Sequence, residues 1–155
     1  MLSVFSALCA AVLLYPPESG YATPISVLVF QRSFLGWSCI GLMILTCAYF
    51  AARLWARNQV PSALGAICIC AALATIATTN PYSDNHLLTF VGLAIFVLAW
   101  HWWFHSLEAG AFSFLTALGV TLGVLTCFGS LGVGERVIAL SSLLTVNWIF
   151  LDYLA

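Results

Sequence analysis

Four stretches of the chain run almost without a polar break: residues 33–52, 61–79, 87–104 and 109–131. Each falls near the roughly 17–25 apolar residues that a helix needs to traverse hydrocarbon. The first is extended upstream by the apolar residues 25–30, and the second starts at Pro61, where a first helical turn does not need the missing N–H. A fifth run, 137–154, is more polar and carries Ser141, Ser142, Thr145, Asn147 and Asp152. Residues 1–15 make a sixth apolar run, only about 22 Å long as a helix. It has no positive n-region, so it is expected to be retained as a short first helix rather than removed as a leader. The pattern predicts an all-α fold, a single polytopic transmembrane helix bundle over residues 1–155. The expected count is five spans, including the run 2–15, with four as the alternative if that run does not fully cross. A membrane barrel would instead show alternating segments near ten residues, and these runs are too long and too uniformly apolar.

The turns between the runs alternate between two ends of such a bundle. One end, X, takes the turn 80–86 together with Glu18, Arg32, Glu135 and Arg136. The other, Y, takes Arg53, Arg57, Glu108 and Asp152. Interfacial aromatics fit this division. Trp55, Trp100, Trp102, Trp103, Trp148 and Tyr153 gather toward Y, and Tyr15, Tyr21, Phe34, Trp37, Tyr82 and Phe128 toward X. The four arginines split evenly, so the count of positive charges does not orient the chain. The short loop 53–57, with Arg53 and Arg57, assigns end Y to the cytoplasmic or matrix side.

Composition strengthens the membrane reading. Hydrophobic residues make up 63% of the 155 and charged residues only 6%, where a soluble domain carries about 25%. Net charge is −1 and there is no lysine, which excludes the basic stripe that nucleic-acid binding requires. The six cysteines lie in apolar runs and read as small, soft packing residues. Cys68 and Cys70, two apart, would face nearly opposite sides of a helix and make a poor metal pair. Gly119 and Gly123 form a small-residue pair at the spacing of close helix packing, with Asn147 expected to bond across to another helix. Gly129, Gly132 and Gly134 are expected in the turn before the fifth run.

Two polar constellations carry candidate chemistry. His101, His105 and Glu108 fall within about 60° on one helical face, so they are candidate metal ligands, and His101 or His105 a candidate cofactor ligand. All three histidines sit on or beside the third run, so an intrachain bis-histidine haem is disfavoured. A pigment or haem shared with a partner stays open, and the isolated chain is expected to hold no cofactor. The glutamate of the zinc-hydrolase pattern is replaced by Trp102. At end X, Asp84 and His86 offer an acid/base pair, with Asp84 or Asn85 a candidate N-cap. Glu135 and Arg136 join them, and Arg32 and Arg136 are candidates for a lipid-headgroup phosphate.

The turn Asn80-Pro81-Tyr82-Ser83-Asp84-Asn85-His86, followed by Leu131-Gly132-Val133-Gly134-Glu135-Arg136, resembles an uncharacterised family of small six-span membrane proteins. That family shows a Pro-x-Asp turn, a histidine and a glycine-preceded Glu-Arg pair. The resemblance covers roughly residues 32–154. This chain departs from it with one more residue between Pro81 and Asp84 and a shorter first segment. It implies fold rather than chemistry, since the family has no settled activity, and it draws attention to Asp84, His86, Glu135 and Arg136.

Short loops and small-residue faces make a non-catalytic integral subunit, or an assembly and stabilising factor of a larger membrane complex, the expected function. Its partners would be other integral membrane proteins and lipids. A lipid-headgroup-binding or lipid-modifying enzyme built on end X, and a pigment- or haem-binding subunit using His101 or His105, are the alternatives.

Overall fold

The computed structural model describes residues 2–15, 20–107 and 111–149, all of them helical or in the turns between helices. Among the described residues seven helices occur in chain order: α1 (Leu2–Leu14), α2 (Ile25–Phe30), α3 (Phe34–Ala56), α4 (Val60–Thr78), α5 (Asp84–Leu107), α6 (Ala111–Cys127) and α7 (Leu131–Ile149). Two of them, α3 and α4, are long and apolar enough to cross a membrane.

Six of the seven close into a ring. Each helix from α3 to α7 packs on the next, and α1 completes the circuit by packing on both α7 and α3. The short α2 lies at one end against α3 and α4. Buried Cys9 and Leu13 from α1, Phe50 and Leu54 from α3, Ala66 and Leu73 from α4, Val97 and Trp100 from α5, and Ala139 and Val146 from α7 form a continuous core.

The apolar run that begins at residue 25 is split, and its polar punctuation explains why. At the end of α2 the Arg32 N–H donates to Val29 O at 2.9 Å and the Ser33 N–H to Leu28 O at 3.0 Å, with Arg32 at φ 57°. These two bonds define a Schellman cap, in which a left-handed residue stops the helix. The chain then turns back, and Gly36 of α3 fits against the backbone of Leu28 and Val29, where a Cβ would lie 2.5 Å from Val29 N. The same cap ends α3: Asn58, at φ 59°, donates to Trp55 O and Gln59 to Leu54 O.

Glycines also set the approach of α6 to α7. A Cβ on Gly123 would lie 2.9 Å from Ile138 N, and one on Gly119 would lie 2.6 Å from Ser141 Oγ. Gly132 and Gly134, expected in a turn, belong instead to α7, which starts at Leu131. They are contact positions: Gly134 meets Cys127, and a Cβ on Gly132 would lie 2.5 Å from Ala22 O. Asn147 also departs from expectation, because its amide donates at 2.7 Å to Leu143 O of its own helix. A polar side chain at this depth can be satisfied by the carbonyl four residues back, so it does not need a neighbouring helix.

Gly123→Ala should lower the thermal midpoint in detergent by the equivalent of about 1–3 kcal/mol, the usual cost of overpacking. Gly92→Ala, at a position with nothing within 4 Å of the added methyl, should leave the midpoint unchanged or raise it slightly.

Candidate functional site

The described polar residues of end X form two separate groups that mainly build structure, with Arg32 and Asp84 left exposed. Arg136, in the second turn of α7, is buried. Its Nη1 donates to Tyr21 O at 2.9 Å, to Thr23 O at 3.0 Å and to Gly132 O at 2.7 Å. Its guanidinium also lies 5.8 Å from the centre of the Tyr21 ring, a cation–π distance. Glu135 accepts the Ile25 N–H at 2.7 Å on Oε2. Ile25 opens α2, whose N-cap, Pro24, makes no side-chain capping bond, so a carboxylate from α7 does the capping. Adjacent residues of one helix thus satisfy the carbonyls and the N–H of a distant segment, and Gly132 gives that segment room to approach.

This placement corrects the expectation that Arg136 reaches a lipid phosphate alongside Arg32. A guanidinium bonded to three backbone carbonyls and buried in the protein has little left to offer an outside anion. Arg32 is exposed, in the left-handed cap of α2.

The turn 80–86 is a compact capping unit. Asn80 Oδ1 accepts the Tyr82 N–H at 3.0 Å, and the Ser83 hydroxyl donates to Asn80 O at 2.7 Å. The N-cap of α5 is Ser83, one residue ahead of the expected Asp84: its Oγ accepts the His86 N–H at 3.2 Å. His86 is buried and shares a 3.0 Å hydrogen bond between Nδ1 and Thr79 Oγ1. Asp84 is exposed. The imidazole is therefore directed to a hydroxyl, and the acid/base pairing of Asp84 with His86 is not what the fold assembles.

Both His86 and Glu135 precede the apolar runs that follow them, 87–104 and 137–154. Burial lowers the pKa of His86 and favours its neutral form. Burial raises Glu135 to about 7, opposed by the Ile25 N–H and the Arg136 charge.

The bundle interior holds the larger space, a cavity of about 110 Å³ between α3 and α4 on one side and α5 and α7 on the other. Its walls are apolar apart from a few groups, among them Glu135 and Ser142 on α7. The Ser142 hydroxyl is buried and meets no hydrogen-bond partner among the described residues. Seven residues separate the two, so they share a face of α7 about 10 Å apart along the helix. Trp100 also lines the cavity, its ring 6.1 Å from that of Phe50 in an edge-to-face contact. It packs over Gly65, where a Cβ would lie 2.6 Å from Nε1. This cavity was not foreseen from the sequence: Ser142 read as one of several small polar residues in a span, and the gap beside it depends on how α3, α4, α5 and α7 are arranged.

The second expected constellation falls outside what the structure describes. His101 and His105 lie on α5, but their side chains, like Glu108, are outside the described residues. Among the described residues no three His, Cys, Asp or Glu side chains converge as a metal site. Comparison with family models, curated proteins and solved structures finds no match to this chain.

Replacing Arg136 by Gln should cost about 3 kcal/mol, because buried carbonyls lose a charged donor. Glu135→Gln keeps an acceptor for Ile25 and should be far milder. Because the folded pKa of Glu135 lies above its unfolded value of 4.5, stability should fall as pH rises from about 4.5 to 7 and then level off. The Gln variant should lose that slope in pH-dependent melting.

Proposed function

We propose that this chain is an integral membrane helix bundle that serves as a non-catalytic subunit or assembly factor of a larger membrane complex. The observation that carries the reading is the outer face of α4, α5 and α6. There Leu64, Ile67, Leu88, Ile95, Leu115, Leu122 and Leu125 all stand exposed, Leu88 to 73% of its surface. A contiguous apolar exterior of this kind needs lipid or another protein to cover it. Glu135, Arg136 and His86 of end X are drawn into the chain's own loops and caps, which leaves them little capacity for turnover of a headgroup. In this reading the partners are other integral membrane proteins and lipids, and the loop with Arg53 and Arg57 faces the cytoplasm or matrix.

A second reading has a specific observation behind it: the interior cavity with the orphan Ser142 hydroxyl and Glu135. A dry apolar cavity of comparable size holds small apolar guests. Here it would take a segment of lipid tail, with a polar atom of the same molecule meeting Ser142. The pigment or haem reading rests on His101 and His105 and awaits their side-chain positions.

Purification in mild detergent followed by mass spectrometry should recover larger membrane proteins in fixed stoichiometry with this chain. A monodisperse monomer without partners would overturn the subunit reading. For the cavity, Ala139→Phe fills the space beside Ser142. It should abolish any co-purifying lipid while partner recovery persists; lipid retained by a folded Ala139→Phe protein would eliminate the second reading.

A further inference from the structure

Five sulfur side chains from three helices line up inside the bundle. On α3, Cys39, Met43 and Cys47 recur every four residues and share one face over about 12 Å. The Cys39 thiol donates to Met43 Sδ at 3.8 Å. Cys9 of α1 lies beside the Cys39 thiol across the α1–α3 contact, and both are buried, at 0% and 3% exposure. One turn beyond Met43, Cys47 lies beside Cys70 of α4, whose thiol donates to Ile44 O at 3.6 Å. Apart from Met1, Met43 is the chain's only methionine, and it sits between the two thiol pairs.

Hydrophobic packing explains each of these residues singly, but not their convergence. Two thiols and a thioether in one buried cluster are soft donors without a hard oxygen among them. Such donors select cuprous copper over harder divalent ions. Zinc sites take four ligands, commonly His, Cys or carboxylate, and among the described residues no three such groups converge. Electrostatics also suits a monovalent ion. Arg136 and Cys39 line a common small void of about 10 Å³, so a fixed positive charge stands near the sulfur cluster.

We propose that Cys9, Cys39 and Met43 form a binding site for Cu(I), with the Cys47 and Cys70 thiols as a second station along α3. Binding replaces the two thiol protons of Cys9 and Cys39, which pass to solvent, and forms two thiolate–copper bonds. Met43 adds its sulfur as a neutral third ligand. No electron moves, because the ion arrives already reduced. The resulting dithiolate–copper unit carries one negative charge, which the nearby Arg136 favours and the Glu135 carboxyl opposes. This site does not rest on the subunit reading; Met43 and Cys47 also line the interior cavity, so the site adjoins it.

The test is anaerobic competition between the reduced, detergent-solubilised full chain and the coloured Cu(I) complex of bicinchoninate. The wild-type chain should withdraw at least one Cu(I) per molecule and develop a thiolate-to-copper ultraviolet band. Met43→Leu conserves volume, so its fold should persist, and it should weaken the first site about tenfold. The double variant Cys9→Ser with Cys39→Ser should abolish that site, whereas Cys68→Ser, exposed and off the line, should bind as wild type. The proposal is overturned if the wild-type chain withdraws no copper. It is equally overturned if folded Met43→Leu binds unchanged, or if Cys68→Ser loses as much as the double variant.

Discussion

One buried guanidinium organises the end of the bundle. Inside a low-dielectric interior an arginine must find acceptors for its donors, and the cheapest supply is backbone carbonyl oxygen. Arg136 finds it in the segment between α1 and α2 and in its own helix. That choice fixes where residues 21–23 lie, and with them the start of α2. Glu135, the preceding residue, then becomes the only practical cap for Ile25, since Pro24 brings no capping group. The position of α2 against α3 and α4, and of α1 against α7, follows from this junction.

The same economy limits what chemistry remains. His86 is tied to Thr79, Asn80 and Ser83 shape a turn, and Asn147 serves its own helix. What is left over is concentrated in the interior: the Ser142 hydroxyl, one oxygen of Glu135 and the row of sulfur atoms on α3. Because α3 and α7 face one another without packing closely, a space persists between them that apolar side chains do not fill. Polar or polarisable groups beside such a space are available to a guest in a way that the engaged residues of end X are not.

Much of the helical layout was legible. The long apolar runs located α3 to α6 to within four residues at each end, because unbroken hydropathy of that length has few other solutions, whereas α7 starts six residues ahead of the run that announced it. The split between α2 and α3 was not legible, since it depends on arginine accepting a left-handed conformation that glycine usually supplies. Nor was the role of Gly132 and Gly134. Glycine near a predicted turn suggests flexibility, and only the placement of Ala22 and Cys127 shows that the missing side chain is what matters. The Glu-Arg pair was singled out correctly as unusual, but an arginine beside a membrane surface reads as an anion site. The sequence has no means to show that backbone carbonyls more than a hundred residues away would claim it. The cluster of Cys9, Cys39 and Met43 was equally hidden, because it requires knowing that α1 lies beside α3.

The circular arrangement of the helices has a temporal side. A nascent chain delivers α1 first, yet one of its two neighbours, α7, is the last of the seven to be made. Until α7 arrives, the ring is a horseshoe with its interior facing the surrounding medium, and the segment that Arg136 holds has no anchor. The interior is therefore closed only when the seventh helix docks between α6 and α1.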